Sequence, residues 1–192
     1  MGLIEWVAVG FGLGCVLLTI RQSVWCWPMG LVQVVLYVHV FYQARLYSDV
    51  ILHVIYVVLQ IYGWYAWLHG GADRGKLTVS RLSRRHLLLW AAAGVAATLA
   101  VGGLMSRFTG ADRPYWDASI LAFSLVAQWL MARKVVESWV FWIAVDVLAV
   151  GLYAVKRLYP TTALYSVFLV LAIIGLLEWR RATSRTREAP PA

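Results

Sequence analysis

Seven apolar runs, separated by short polar segments, constrain the fold of this chain more than any other feature. A membrane-spanning helix needs about 20 mostly apolar residues, and each run approaches that length. The runs are continuous rather than alternating in polarity, which favours helices over the strands of a β-barrel. The predicted spans cover residues 3–20, 24–44, 50–68, 87–105, 115–132, 139–155 and 162–179.

The composition agrees with a membrane protein. Hydrophobic residues make up 62% of the chain and charged residues 14%, against about 45–50% and about 25% in soluble domains. So few charges cannot cover a soluble globule, and so many apolar residues exclude a disordered chain. The sequence therefore predicts an all-α integral membrane protein with seven transmembrane helices.

The basic residues predict the orientation of these helices. The segments between spans fall into two alternating sets, of which one holds 12 Lys and Arg residues and the other holds 5. The positive-inside rule makes the richer set cytoplasmic, so the N-terminus is expected outside and the C-terminus in the cytoplasm. We interpret the net charge of +8 as this topology signal and expect no nucleic-acid partner. The richer set consists of Arg21, Arg74, Lys76, Arg81, Arg84, Arg85, Arg133, Lys134, Arg180, Arg181, Arg185 and Arg187.

An internal repeat relates the two ends of the chain. A shift of 112 residues aligns 5–67 with 117–179 without a gap, and it pairs Trp27 with Trp139, Gly63 with Gly175, and Trp67 with Trp179. Each copy holds three spans, so the fourth span is a connector that restores the orientation of the first copy. The sequence thus predicts a 3+1+3 arrangement of parallel repeats, a SWEET-like transporter plan. The expected regions are a first repeat at 1–68, a cytoplasmic loop and connector at 69–110, a second repeat at 111–179, and a cytoplasmic tail at 180–192. Residues 183–192 of this tail are polar and are expected to be disordered.

Asp146 is the most informative polar residue because it lies near the middle of the sixth predicted span. A charge at that depth costs at least about 2.5–3.5 kcal/mol on insertion scales, so it should face the interior of the bundle. Trp142 and Tyr153 share its helix face. Aromatic rings beside a carboxylate suit a flat ligand that is cationic or rich in hydroxyl groups. The alternative is an Asp that is protonated or bonded to a neighbouring helix.

Other spans carry further polar and aromatic side chains at helical spacing. Three buried glutamines are unusual in hydrocarbon because every amide needs hydrogen-bond partners. They can recognise an amide or a ribose hydroxyl, or they can join helices. Trp67 and Trp179, near span ends, are expected to anchor the chain at the bilayer interface. The predicted binding residues are Gln33, Tyr37, Tyr56, Gln60, Trp64, Gln128, Trp139, Trp142, Asp146 and Tyr153.

Catalytic and metal-binding patterns are missing from the sequence. It has no phosphate-binding glycine loop and no nucleophile elbow, and Cys15 and Cys26 form no metal-ligand spacing. Met1 to Glu5 offers no basic segment, so no cleavable signal peptide is expected. The chain is therefore expected not to be an enzyme and to need no cofactor or metal.

Two stretches carry a resemblance to a known family. The first includes Trp-Cys-Trp-Pro-Met-Gly at 25–30, Phe-Tyr-Gln-Ala-Arg-Leu-Tyr at 41–47 and Tyr-Gly-Trp-Tyr-Ala-Trp at 62–67. The second, more specific one includes Asp117, Gln128, Arg133-Lys134, Glu137-Ser138-Trp139, the run 142–147, Gly175 and Trp179. Over 3–179 the chain resembles the PnuC family of vitamin transporters, whose best-known substrate is nicotinamide riboside.

The resemblance implies a three-one-three helix fold, often assembled as a homotrimer, in the cell (inner) membrane. It implies facilitated diffusion of nicotinamide riboside, with a cytosolic kinase that traps the substrate. It also implies a site at mid-membrane that fits Gln60, Trp64, Gln128, Trp139, Trp142 and Asp146. Thiamine or riboflavin transport, proton-coupled transport through Asp146 or the histidines, and an intramembrane enzyme or sensor stay as alternatives.

Overall fold

The computed structural model describes residues 3–43, 47–110 and 112–188. Within these ranges the chain forms seven α-helices, and α1, α3, α4, α6 and α7 are long and apolar enough to cross a membrane. The other two helices, α2 and α5, have 18 and 19 residues. The predicted all-helical fold is confirmed. The helices are α1 (Leu3–Ile20), α2 (Cys26–Gln43), α3 (Tyr47–His69), α4 (Arg84–Phe108), α5 (Pro114–Ala132), α6 (Ser138–Val155) and α7 (Tyr159–Glu188).

The last helix is longer than the sequence predicted. It continues past Trp179 to Glu188, so the expected disorder of the tail is wrong for 183–188, while 189–192 lie outside the described residues. The hydroxyls of Thr183 and Ser184 donate to the carbonyl oxygen of Arg180, which satisfies them inside the helix. Arg and Ala also favour helix, and this local preference outweighs the polar composition.

Contacts between Cα atoms divide the chain into two compact units. The first unit comprises Met1–Thr78 and Ala132–Lys134, and the second comprises Val79–Met131 and Val135–Ala192. In the first unit α2 packs against both α1 and α3. In the second unit α6 packs against α7, and the indole of Trp116 on α5 donates to the carbonyl oxygen of Leu148 on α6 at 2.9 Å. Each unit therefore has its own central helix.

A pair of tryptophans packs between α2 and α3 in the first unit. The rings of Trp27 and Trp67 meet edge to face, with centroids 5.4 Å apart and planes at 83°. A methyl group at Gly63 would collide with the six-membered ring of Trp27. Gly63 is therefore required for close approach, since any side chain would separate the helices.

The same arrangement recurs between α6 and α7 in the second unit. Trp139 and Trp179 meet edge to face at 5.6 Å and 88°, and a Cβ on Gly175 would lie 2.6 Å from the Trp139 ring. The predicted interface role of Trp67 and Trp179 is wrong, because both side chains are fully buried. They pack edge to face against Trp27 and Trp139 instead of lying among lipid headgroups.

Lys134, one of the basic residues of the predicted cytoplasmic set, is buried. Its side chain is 8% exposed, its ammonium donates to the carbonyl oxygen of Leu77 at 2.9 Å, and it lies 4.6 Å from the Trp67 ring centroid. Burial lowers the pKa of Lys134 below its usual value. The backbone hydrogen bond and the aromatic face compensate part of this desolvation. Sequence spacing gave no sign that the loop after α3 covers this lysine.

Both turns that precede the central helices contain a residue in the left-handed region. Gln22, between α1 and α2, has φ of 55°, and Lys134, between α5 and α6, has φ of 54°. These positions are 112 residues apart, the same offset that relates the tryptophan pairs. A non-glycine residue in this conformation is uncommon, so its occurrence at both positions is a specific likeness between the two turns.

Candidate functional site

Asp146 on α6 is the central group of the second unit's candidate site. Its side chain is 4% exposed, and within the described part of the chain its carboxylate makes no hydrogen bond and no ion pair. A buried charge without a partner is costly in a low-dielectric interior. Trp142, one turn before it, is half-buried against the α5–α6 core that includes Val126 and Phe141. The carboxyl is therefore able to accept hydrogen bonds from a ligand.

Gln128 on α5 is a second buried polar group in the same unit. The structure buries both Gln128 and Ser124, one turn earlier. Ser124 donates to the carbonyl oxygen of Leu121 at 2.9 Å, so its hydroxyl proton is used within its own helix. The Gln128 amide makes no hydrogen bond to any described residue. Its donor and acceptor atoms are available for a ligand.

The two remaining predicted residues of the second unit lie against α7. Trp139 is closed in by Trp179 and Gly175, and its indole nitrogen is sealed from solvent without an acceptor among the described residues. The Tyr153 ring lies 5.3 Å from that of Tyr165. Trp139 is thus placed as a packing element, and Tyr153 is half-buried at the other end of α6.

Gln60 on α3 is the most buried of the predicted residues in the first unit. It is 8% exposed, its amide lies against Gly30 of α2, and its Oε1 is sealed from solvent without a partner among the described residues. Gln33 on α2 lies against α1, where a Cβ on Gly12 would be 2.6 Å from its Nε2. The two glutamines therefore fill gaps left by glycines on neighbouring helices.

Aromatic side chains cluster between α2 and α3. The Tyr37 ring lies 5.7 Å from His53, which in turn lies 4.9 Å from Phe41 and 5.8 Å from Tyr56. The structure thus brings Tyr37 and Tyr56 together through His53. It leaves Trp64 outside this cluster, with its side chain 37% exposed.

Sequence reasoning missed the glycines that position the glutamines. Gly30 was noted only as part of the motif at 25–30 and Gly12 was not noted, although small residues in membrane helices mark close helix contacts. Gly30 lies one residue past Met29 on the first turns of α2, in a stretch of otherwise large residues. No group of three or more His, Cys, Asp or Glu side chains that could hold a metal occurs within the described ranges.

Substitution Gly30→Ala should move the Gln60 amide without unfolding the protein. The added Cβ would collide with Nε2, and it would lie 2.9 Å from Cδ of Gln60 and 3.0 Å from Sγ of Cys15. The end of a glutamine side chain is flexible, so the amide swings aside. If it binds substrate, calorimetry should show about 2- to 10-fold weaker binding, the loss of one hydrogen bond.

The matched control for this change is Gly14→Ala. Its Cβ would lie 2.6 Å from Cε of Met29, which is also the end of a flexible side chain. We expect the control to bind as the unsubstituted protein does. Equal affinity in both variants would remove Gln60 from the site.

The described residues form seven helices, of which five can cross a membrane, and among them several buried polar side-chain atoms have no protein partner. These features are those of a multi-pass membrane protein. A sequence profile described as nicotinamide mononucleotide transporter matches residues 2–181. The chain belongs to this family of membrane transporters.

Individual relatives agree with the family. The nicotinamide riboside transporter PnuC of Escherichia coli K12 is 27% identical, over 92% of this chain and 84% of its own length. A transporter of the same name from Neisseria mucosa is 28% identical over 93% and 72%. The riboflavin/roseoflavin transporter RibM of Streptomyces davaonensis is 28% identical over 96% and 90%.

A solved structure matches the fold. The crystal structure of the vitamin B3 transporter PnuC superimposes with a TM-score of 0.76 at 27% identity. The match covers 95% of this chain and 82% of the other. The helical architecture is therefore that of PnuC.

Proposed function

We propose that this protein carries nicotinamide riboside across the cell (inner) membrane by facilitated diffusion. The observation that carries the proposal is the buried Asp146 carboxyl, which has no partner among the described residues, in a chain of a transporter family. Nicotinamide riboside has a cationic ring and ribose hydroxyls. A carboxylate can bind either of them, and Trp142 offers an aromatic face one turn away. The names of the relatives from Escherichia coli and Neisseria mucosa support this substrate.

The remaining predicted residues take secondary roles in this proposal. Gln60 and Gln128 supply amides to the carboxamide or the ribose, and Trp64 stacks on the ring. Trp139 holds α6 against α7 and acts through packing. Gln33, Tyr37, Tyr56 and Tyr153 are further substrate contacts in this proposal.

Alternating access would come from two three-helix repeats, 1–68 and 111–179, that rock about the site. The connector α4 joins them in a SWEET-like 3+1+3 plan. The equivalent tryptophan pairs and the equivalent turns at Gln22 and Lys134 support a repeated unit. Homotrimer assembly and trapping by a cytosolic kinase are extended to this chain from its resemblance to the PnuC family.

Riboflavin is the second candidate substrate because the RibM relative is as similar as the PnuC relatives. Thiamine also has a cationic ring. Calorimetric titration of the purified protein with all three vitamins separates these candidates. Selective binding of nicotinamide riboside is the expected result, whereas selective binding of riboflavin or thiamine would replace it as the substrate.

The proposed orientation places the N-terminus outside and the C-terminus in the cytoplasm. Ser106 near the end of α4 and Ser184 near the end of α7 are both exposed, and they should lie on opposite sides. We expect Ser106→Cys to react with an impermeant thiol reagent in intact cells. Ser184→Cys should react only after permeabilisation. The reverse pattern would invert the topology.

A further inference from the structure

One face of α4 is bare along most of its length. Leu88, Val95 and Leu99 are each at least half exposed. At about 100° per residue they lie within a narrow arc of the helix. Another face is packed on α5, where Gly94 contacts Phe123. The bare face is therefore an apolar surface that lies at membrane depth.

Basic side chains stand at the start of this face. Arg81, Arg84 and Arg85 are exposed, and none of them forms an ion pair with a described residue. Arg84 lies one turn before Leu88, on the same side of the helix. Positive side chains at a helix N-terminus oppose the helix dipole, so this arrangement is unfavourable without an anion. Topology requires basic residues in the loop, but it does not require them above a bare apolar face.

A phosphate and an acyl chain match this combination. A guanidinium group can donate two parallel hydrogen bonds to a phosphate, and the first backbone N–H groups of a helix also favour an anion. A hydrocarbon tail fits beside the leucine and valine side chains. A second protein copy fits less well, because the carboxylates of Asp112, Asp117 and Glu178 already have basic partners.

We propose that the bare face of α4, with Arg81, Arg84 and Arg85 at its start, binds an anionic phospholipid. The guanidinium groups hold the headgroup phosphate, and the acyl chain follows Leu88, Val95 and Leu99. This interaction is independent of the transported substrate.

Native mass spectrometry of the detergent-purified protein tests the proposal. Phosphatidylglycerol and phosphatidylcholine with identical acyl chains are added in parallel to the unsubstituted protein and to Arg84→Gln/Arg85→Gln. We expect the unsubstituted protein to prefer phosphatidylglycerol, and the variant to bind it about tenfold more weakly. The matched control, Arg180→Gln/Arg181→Gln, removes the same charge from α7 and should keep the preference.

Three outcomes would overturn the proposal. The preference for phosphatidylglycerol could be equal in both double variants. Water-soluble glycerol phosphate could bind as tightly as the lipid, which would indicate a soluble anion site. Finally, the variant could change the oligomeric mass and leave lipid binding intact, which would assign the face to a second copy of the chain.

Discussion

Asp146→Asn should lower nicotinamide riboside binding about 10- to 100-fold while the protein still folds. A hydrogen bond to a charged group contributes about 1.5–3 kcal/mol, and the substitution removes that charge. Asparagine has nearly the same volume, so packing around α6 is kept. Within the described residues no protein group depends on the carboxylate, and thermal stability should be unchanged or higher. Binding calorimetry and a thermal melt on the same preparation measure both effects.

Asp117→Asn is the matched control because it removes a carboxylate from α5 that already pairs with Lys156 at 3.4 Å. Such a partly exposed pair contributes little, so binding should stay within about twofold. The assignment of Asp146 fails if its variant binds normally. It also fails if the thermal stability of the variant falls together with its affinity for nicotinamide riboside, since the carboxyl would then be structural.

Gly63→Ala and Gly175→Ala should each destabilise the fold by about 1–3 kcal/mol, the usual effect of overpacking a core. In both units the new Cβ would meet a rigid tryptophan ring rather than the end of a flexible side chain. The ring cannot move freely, because a second tryptophan is packed against it. Thermal unfolding in detergent measures the loss, and similar losses in both variants are expected from the similar geometry.

Two further variants complete this test. Gly10→Ala places its Cβ where nothing lies within 4 Å, and it should leave stability unchanged or slightly higher. Trp139→Phe shortens the ring that contacts Gly175. The double variant Trp139→Phe/Gly175→Ala should therefore lose less stability than the sum of the losses in the two single variants. Additive losses would show that the glycine and the tryptophan do not interact.

The helices were predictable because membrane spans need long apolar runs, which a single sequence displays directly. The α6 prediction was within one residue of the observed start, and the end at Val155 was correct. Helix ends outside the apolar runs were harder to predict. The continuation of α7 to Glu188 depends on local hydrogen bonds of Thr183 and Ser184, which hydropathy does not register.

The equivalence of Trp67 and Trp179 could be predicted from the sequence, but their burial could not. The repeat offset identified Trp67 and Trp179 as equivalent, but their position near span ends favoured the bilayer interface. Their burial depends on glycines in the same helices and on rings from the central helices. Such pairings between helices are decided by tertiary packing. The burial of Lys134 has the same origin, since it rests on a backbone carbonyl 57 residues away along the chain.

The burial of Asp146, Gln60 and Gln128 was predictable, because polar side chains at membrane depth are costly unless they face the interior of the bundle. Gln33 is only half-buried. The surroundings of these side chains were not predictable. The placement of the Gln60 amide against Gly30 depends on where α2 and α3 cross, and spacing within one helix does not contain that information. The glutamines remain predictions until ligand binding is measured.

The most direct test of the central claim is counterflow in proteoliposomes that contain only the purified protein. Vesicles are loaded with unlabelled nicotinamide riboside and diluted into a trace of labelled substrate. If the protein is a passive carrier, the vesicles should accumulate labelled substrate transiently without any kinase. A protonophore should not change this accumulation. Absence of counterflow, or accumulation that requires a proton gradient, would contradict facilitated diffusion of nicotinamide riboside by this protein.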